Sequence, residues 1–417
     1  MLKKIGIGFL PLLISAQASA VLSIDIEVQE KKVPVVFYNG NGNSSYNNAM
    51  FNKIQTNIFK TKKADIISAG NKSCSDVSKI KKTSIYCVNL STLNNSYPDN
   101  VTQVNIQSIG FSGQNTYSKN IYFNNNKDNF HEASNEISDF VYQTLFNQNS
   151  YFKSKLAFVK SINNVNGWVY NLSVSNIDGS NEKTYLSSKA PIMSIDWSPD
   201  NNKLAYVSYE KVRPAIYIHN IKTGARKQIT NFKGINASPS WNPNGRSLVM
   251  SLSKDGTSDL YIYELSTSKL FKITHDNNAD EAEPVWLNSE EIVYTSNRGG
   301  IPSLYKFNII NKKTTKLQNS YRYVTTPKSS KDGMFTVAMF KNGKNYGLLK
   351  INENGKANVI TTDFYGESPT VSSNNRLIIY STKVGRLNIL RAIDLEGNEL
   401  YKIASDRANI KEPALSN

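Results

Sequence analysis

Three carboxylates share one recurring place in this sequence. Glu283 and Glu412 directly precede Pro284 and Pro413, and Glu367 precedes Pro369 with one residue between. Each lies where a repeated unit begins its innermost strand, so carboxylates from different units can converge on one axis. Such a set suits a hydrated hard cation such as Ca²⁺, the basic groups of a partner, or plain solvent. Cys74 and Cys87 lie close in sequence and suit either a disulfide closing a short loop or two buried thiols. The pair alone is too small a set for structural zinc. The histidines His131, His219 and His275 are scattered, and His131-Glu132 has no second histidine at zinc-peptidase spacing. Gly40-Asn41-Gly42-Asn43 lacks the Gly-Lys-Ser/Thr ending of a phosphate loop, and no Gly-x-Ser-x-Gly elbow occurs. Serine-hydrolase, zinc-peptidase and nucleotide chemistry are therefore without material.

The elements that must position the carboxylates follow from a repeat. Trp197, Trp241 and Trp286 recur at intervals of 44 and 45 residues, in the frames Asp196-Trp197-Ser198-Pro199, Pro239-Ser240-Trp241-Asn242 and Pro284-Val285-Trp286-Leu287. Degenerate copies begin at Thr326-Pro327, Ser368-Pro369 and Glu412-Pro413. A second strand follows each frame, starting at Leu156, Leu204, Leu248, Ile292, Phe335 and Leu377. An all-strand period of this length is that of a β-propeller with one blade per repeat, here six. The first second-strand copy precedes the first tryptophan frame, so the C-terminal strand near Glu412 must complete the blade begun at Leu156. The tryptophans, at the same place in consecutive repeats, read as packing between neighbouring blades.

Before residue 150 the grammar differs. Met50, Ile54 and Ile58 share a helical face between Asn47 and Lys60, and Ile137, Phe140, Val141 and Leu145 do so between Asn129 and Asn147. Short strand-like runs at Ala64–Ala69, Ser84–Leu90, Val101–Phe111 and Thr116–Phe123 complete a small α/β domain. Upstream, Lys3 and Lys4 precede an apolar run to Ile14 and then Ala18-Ser19-Ala20, the order of an export signal cleaved after Ala20. The run is short for a bilayer span, although retention as an uncleaved anchor is the alternative. The expectation is an α+β two-domain protein: signal 1–20, N-terminal α/β domain 21–150, and a six-bladed β-propeller 151–417 closed by the C-terminal strand.

The chain has 417 residues and a formal charge of +16, which becomes +14 once the two signal lysines are removed. A basic balance raises nucleic acid, anionic membranes and acidic partners, and export disfavours the first.

Together, the export signal, the α/β domain and blades carrying Trp-Ser-Pro-Asp, Lys203-Leu-Ala-Tyr-Val, Leu260-Tyr-Ile-Tyr and Glu283-Pro-Val-Trp resemble the TolB family of the Tol-Pal envelope system. The resemblance covers essentially the whole mature chain and is strongest from about Leu156 to Ile310. It implies a periplasmic, non-catalytic and monomeric binding protein. It implies docking of the lipoprotein Pal at the propeller channel, with Ile235, Ser238, Ala282 and Glu283 at the matching positions. Family members can carry a polar or histidine side chain where this chain has Ile235. The resemblance also implies TolA binding through the mature N-terminal segment Val21, Leu22, Ser23, Ile24, Asp25 and Ile26, with support of outer-membrane integrity and constriction at division. No cofactor is required, with Ca²⁺ at Glu283, Glu367 and Glu412 as an option. The rival reading is an exported propeller enzyme, lactonase- or cyclase-like, with a channel metal site.

Overall fold

The computed structural model describes residues 32–39, 45–69, 72–93, 99–110, 115–124, 127–211, 213–276, 278–318, 320–362 and 366–417. The expected export signal, residues 1–20, and the Val21 to Ile26 segment expected to bind TolA lie outside these residues.

The N-terminal layer is a mixed five-stranded sheet of β1 (Val33–Asn39), β2 (Ala64–Ile67), β3 (Ile85–Leu93), β4 (Asp99–Ile109) and β5 (Thr116–Asn124), in the order β2-β1-β3-β4-β5. β1 pairs in parallel with β2 and β3, and the other pairings are antiparallel. Alternation in β1 divides the two faces. Val35 joins Met50, Ile54 and Ile58 of α1 (Ser45–Lys60) and Ile137, Val141 and Leu145 of α3 (Lys127–Phe146). Val36 instead packs with Cys74 and Val77 of α2 (Cys74–Lys81) and with Ile85. Cys74 and Cys87 form a disulfide that ties α2 to β3. β1 and α2 are additions to the sequence reading. Pro34 inside an apolar run speaks against a central strand, and α2 is too short to show a period. Its signal is the Ser73 cap, whose hydroxyl accepts the Asp76 N–H at 3.2 Å.

Six four-stranded antiparallel sheets follow. Blade 1 pairs the inner strand Asn409–Leu415 with Lys155–Asn164, Gly167–Asn176 and Lys183–Ser188, so the C-terminus closes the ring. The inner strands of blades 2 to 6 are Ile192–Trp197, Asn236–Trp241, Glu281–Trp286, Tyr323–Ser329 and Glu367–Val371. Trp197, Trp241 and Trp286 are buried in clusters joining adjacent blades. Trp241, for example, sits with Ala205 and Val207 of blade 2 and Leu248 of its own blade. The Trp197 Nε1–H also donates to the Ala414 carbonyl at 3.0 Å, fastening the closing strand.

The second strand of blade 5 does begin at Phe335, but the register shifts the alignment of two of the repeat copies by one residue. Trp197, Trp241 and Trp286 pair with Leu204, Leu248 and Ile292, whereas Ser329 pairs with Thr336 and Val371 with Ile378. The equivalent positions in blades 5 and 6 are thus one residue later than Phe335 and Leu377. A continuous apolar run such as Leu377-Ile378-Ile379-Tyr380 carries no alternation from which register can be read. The core continues across residue 150, with Leu145, Phe152, Leu156 and Leu377 in one cluster, and residues 32–417 form one compact unit.

Candidate docking mouth of the propeller

All six inner strands carry the same irregularity. Ser194, Ser238, Glu283, Thr326, Ser368 and Glu412 each have φ between 49° and 55°, and the pairing register shifts at each of them. A non-glycine residue in the left-handed region costs about 1–2 kcal/mol, so the ring of bulges is held by its surroundings. In five blades the next residue is Pro: Pro239, Pro284, Pro327, Pro369 and Pro413. The proline that marked the carboxylates therefore marks the bulge, a feature the sequence reading did not identify.

The bulges turn two of the carboxylates into stitches between blades. Glu283 Oε2 accepts the Thr326 N–H of blade 5 at 2.7 Å and the Thr295 hydroxyl at 2.8 Å. Glu412 Oε2 accepts the Ser194 N–H of blade 2 at 2.8 Å. Around the ring, blade 1 faces blade 4, so Glu412 and Glu283 stand opposite one another. Glu367 sits one position before its bulge, paired with Ser381, and its side chain lies outside the described residues. Among the described residues no three His, Cys, Asp or Glu side chains gather closely enough to hold a metal. Deeper along the strands, Asp196 Oδ2 accepts the Trp241 N–H at 2.8 Å and the Thr370 hydroxyl accepts the Leu415 N–H at 3.0 Å. Asp196 also pairs with Lys328 of the facing blade 5 at 3.6 Å, placing a charge bridge across the channel. Lys331 responds to this pair: desolvation pulls its pKa down, Lys328 adds to the fall and Asp196 opposes it.

The two ends of the channel are unlike. At the end where inner strands finish, the α/β layer packs against the propeller. There Lys53 of α1 pairs with Asp178, Lys60 lies 5.0 Å over the Tyr401 ring, and the Asn374 amide donates to the Asn149 carbonyl at 3.0 Å. Burial pushes the Asp178 carboxyl up, but the charge and hydrogen bond of Lys53 and the bonds from Ser180 bring it down to about 2. The other end, where inner strands begin, is the open mouth.

Ile235, Ser238, Ala282 and Glu283 all fall on the open-mouth side of blades 3 and 4. Ile235 is 47% exposed, at the end of the connection that leads into the buried Asn236. The Asn236 amide donates to the Phe232 carbonyl at 2.8 Å, and the Ile235 N–H donates to the Ser253 hydroxyl at 2.8 Å. Gly234, at φ +82°, leaves no room for a Cβ beside Ser253. Phe232, also exposed, lies under Lys254 at 5.8 Å. Next to Ala282, the fully buried Glu281 pairs with Arg298, whose guanidinium lies 4.8 Å over Tyr305 and donates to the Tyr294 hydroxyl at 3.0 Å. Burial pushes the Tyr294 phenol up to about 12. In sequence Asp276, Asp280 and Glu281 read as ordinary loop charge, and Arg298 carried no signal; the fold instead buries Glu281 on the inner strand of blade 4. The pairing of Glu281 and Arg298 across strands becomes visible only in the folded blade.

The three histidines lie on separate elements: His131 on α3, His219 buried on the third strand of blade 2, and His275 in the connection between blades 3 and 4. Among the described residues no helix is long and apolar enough to cross a membrane.

Comparison with known proteins agrees with this architecture. Residues 142–417, more than half of the chain, match the family model described as the TolB beta propeller domain. The Tol-Pal system protein TolB of Aromatoleum aromaticum is 41% identical over 106 residues, covering 25% of this chain and 24% of that protein. That of an Azoarcus species is 42% identical over 106 residues, again 25% and 24%. The chain's match thus spans about a quarter of the length of these relatives. The crystal structure of TolB from Acinetobacter baumannii superposes with a TM-score of 0.80 at 24% identity, covering 93% of this chain and 97% of that one, and supports the fold. The propeller with its closing C-terminal strand and the family match over residues 142–417 establish that the chain belongs to the TolB family of Tol-Pal system propeller proteins.

Proposed function

We propose that the chain is a periplasmic, non-catalytic adaptor of the Tol-Pal system that docks Pal at the open propeller mouth. The observation that carries this reading is the exposed Ile235 beside Ser238, Ala282 and Glu283, presented on two blades at the mouth facing away from the α/β layer. The patch has an apolar centre and hydrogen-bonding groups beside it, as a binding hot spot needs. The segment Val21 to Ile26 serves TolA, with its alternating Ile24 and Ile26 suited to adding a strand to a sheet edge. The physiological outcome is maintenance of the outer membrane and its constriction at division. Calcium is secondary, because Glu283 and Glu412 already accept backbone hydrogens and a cation would have to share them.

The test is retention of partners from an envelope extract on the immobilised mature chain. Wild type retains Pal and TolA, Glu283→Lys loses Pal, and deletion of Val21 to Ile26 loses TolA alone. Failure of wild type to retain Pal defeats the reading, and equal loss of both partners on the deletion makes the segment merely structural.

A further inference from the structure

Where the α/β layer meets the propeller, at the end away from the open mouth, a crevice of about 610 Å³ opens between the end of α3 and blade 6. That volume lies in the range of small-molecule sites, about 300–1,000 Å³. One wall is Gln143 with Asn147-Gln148-Asn149, and the other is the turn Ser373-Asn374-Asn375-Arg376 that follows the inner strand of blade 6. Six of these eight side chains are amides, and none is apolar or acidic. Each wall has a local cause. α3 stops at Asn147, whose φ of 51° is a left-handed conformation that asparagine tolerates. On blade 6, the Ser372 hydroxyl donates to Asn374 Oδ1 at 2.8 Å, where the matching turns of blades 2 and 5 use Asp200 and Asp332. The amide keeps the turn and takes a negative charge out of the crevice.

Hydrogen bonds to the protein orient three of the amides. Gln148 Oε1 accepts from Lys63 Nζ at 2.6 Å, and Asn375 Oδ1 accepts the Lys331 N–H at 2.8 Å. Both partners can only donate, so each oxygen is fixed on the protein and the amide hydrogens are left for the crevice. Gln143 is turned the other way. Its Nε2 lies 3.3 Å from both oxygens of Asp139, which leaves Oε1 as an acceptor. Two N–H donor groups and one carbonyl acceptor complement an acetamido group, whose carbonyl accepts and whose N–H donates. The remaining amides suit sugar hydroxyls, which do both. A peptide would find no apolar pocket for its side chains, and a polyanion would find one lining cation, Arg376. We propose that this crevice binds a short, uncharged oligosaccharide carrying acetamido groups, which bridges the α/β layer and blade 6.

The test is calorimetric titration of the mature chain with the trimer of N-acetylglucosamine, with maltotriose and trialanine as controls. No partner protein is present, so the outcome is independent of docking at the mouth. The acetamido trimer should bind saturably, and its saturation should raise the thermal midpoint of the wild type. Gln148→Glu and Asn375→Asp keep the oxygens that Lys63 and the Lys331 N–H use but lose the amide hydrogens. Each should therefore weaken binding about 5-fold while the circular dichroism spectrum stays that of the wild type. Maltotriose, with hydroxyls but no acetamido group, should bind more weakly by at least as much. No binding of the acetamido trimer by wild type, equal affinity for maltotriose or trialanine, or unchanged affinity in both folded variants would each overturn the proposal.

Discussion

At the scale of single residues, two of the three carboxylates open to a cation, a partner or solvent also hold blades together. Glu283 and Glu412 accept backbone hydrogens from neighbouring blades at bulges with φ near 50°. The sequence showed the acid-proline pairing but not its cause, because a bulge is a property of two strands in register. The Glu281–Arg298 pair makes the sharper test of residue-scale energetics, since one partner is fully buried. Arg298→Met strands that carboxylate, and its second oxygen already lacks a partner, so the variant should lose about 3–5 kcal/mol in urea unfolding. Adding Glu281→Gln to Arg298→Met should recover part of the loss.

At the scale of elements, helices α1 and α3 and most strands were legible because their apolar residues keep a period of 3.6 or 2. β1 and α2 were not, the first for Pro34 and the second for its brevity. The blade count was legible from Trp197, Trp241 and Trp286, whereas register in blades 5 and 6 was lost in continuous apolar runs. Two element-scale predictions follow from the bonds observed. Replacing Cys74 and Cys87 by Ser frees α2 from β3 and should cost about 3 kcal/mol, measured as the drop in urea stability against the oxidised protein. Truncation after Asp406 removes the inner strand of blade 1, including the acceptor of the Trp197 bond and the donor of the Thr370 bond. The ring then has open edges, and the truncated chain should lose its cooperative thermal transition, as followed by near-ultraviolet circular dichroism.

At the scale of the whole molecule, the α/β layer and the propeller meet through Lys53 and Asp178. Lys53 and Ser180 hold the Asp178 carboxyl at about 2, below its unfolded value near 3.9. Its contribution, up to about 2 kcal/mol, is therefore complete above that unfolded value and disappears as pH falls from about 4 to 2. The stability difference between wild type and Asp178→Asn, read from urea midpoints, should be largest above pH ~5 and vanish near pH ~2. A difference that grows on acidification would contradict the ion pair.

The same scale holds the central claim, that blades 3 and 4 present a protein-docking patch at the open mouth. Ile235 is the cleanest probe, because it is exposed while its loop is held by the backbone and by Asn236. The most direct measurement is calorimetric titration of the mature chain and its Ile235→Asp variant with the soluble domain of Pal. The account predicts saturable binding by wild type and at least about tenfold weaker binding by the folded variant, equivalent to about 1.4 kcal/mol. No binding by wild type, or equal affinity for both proteins, would contradict it.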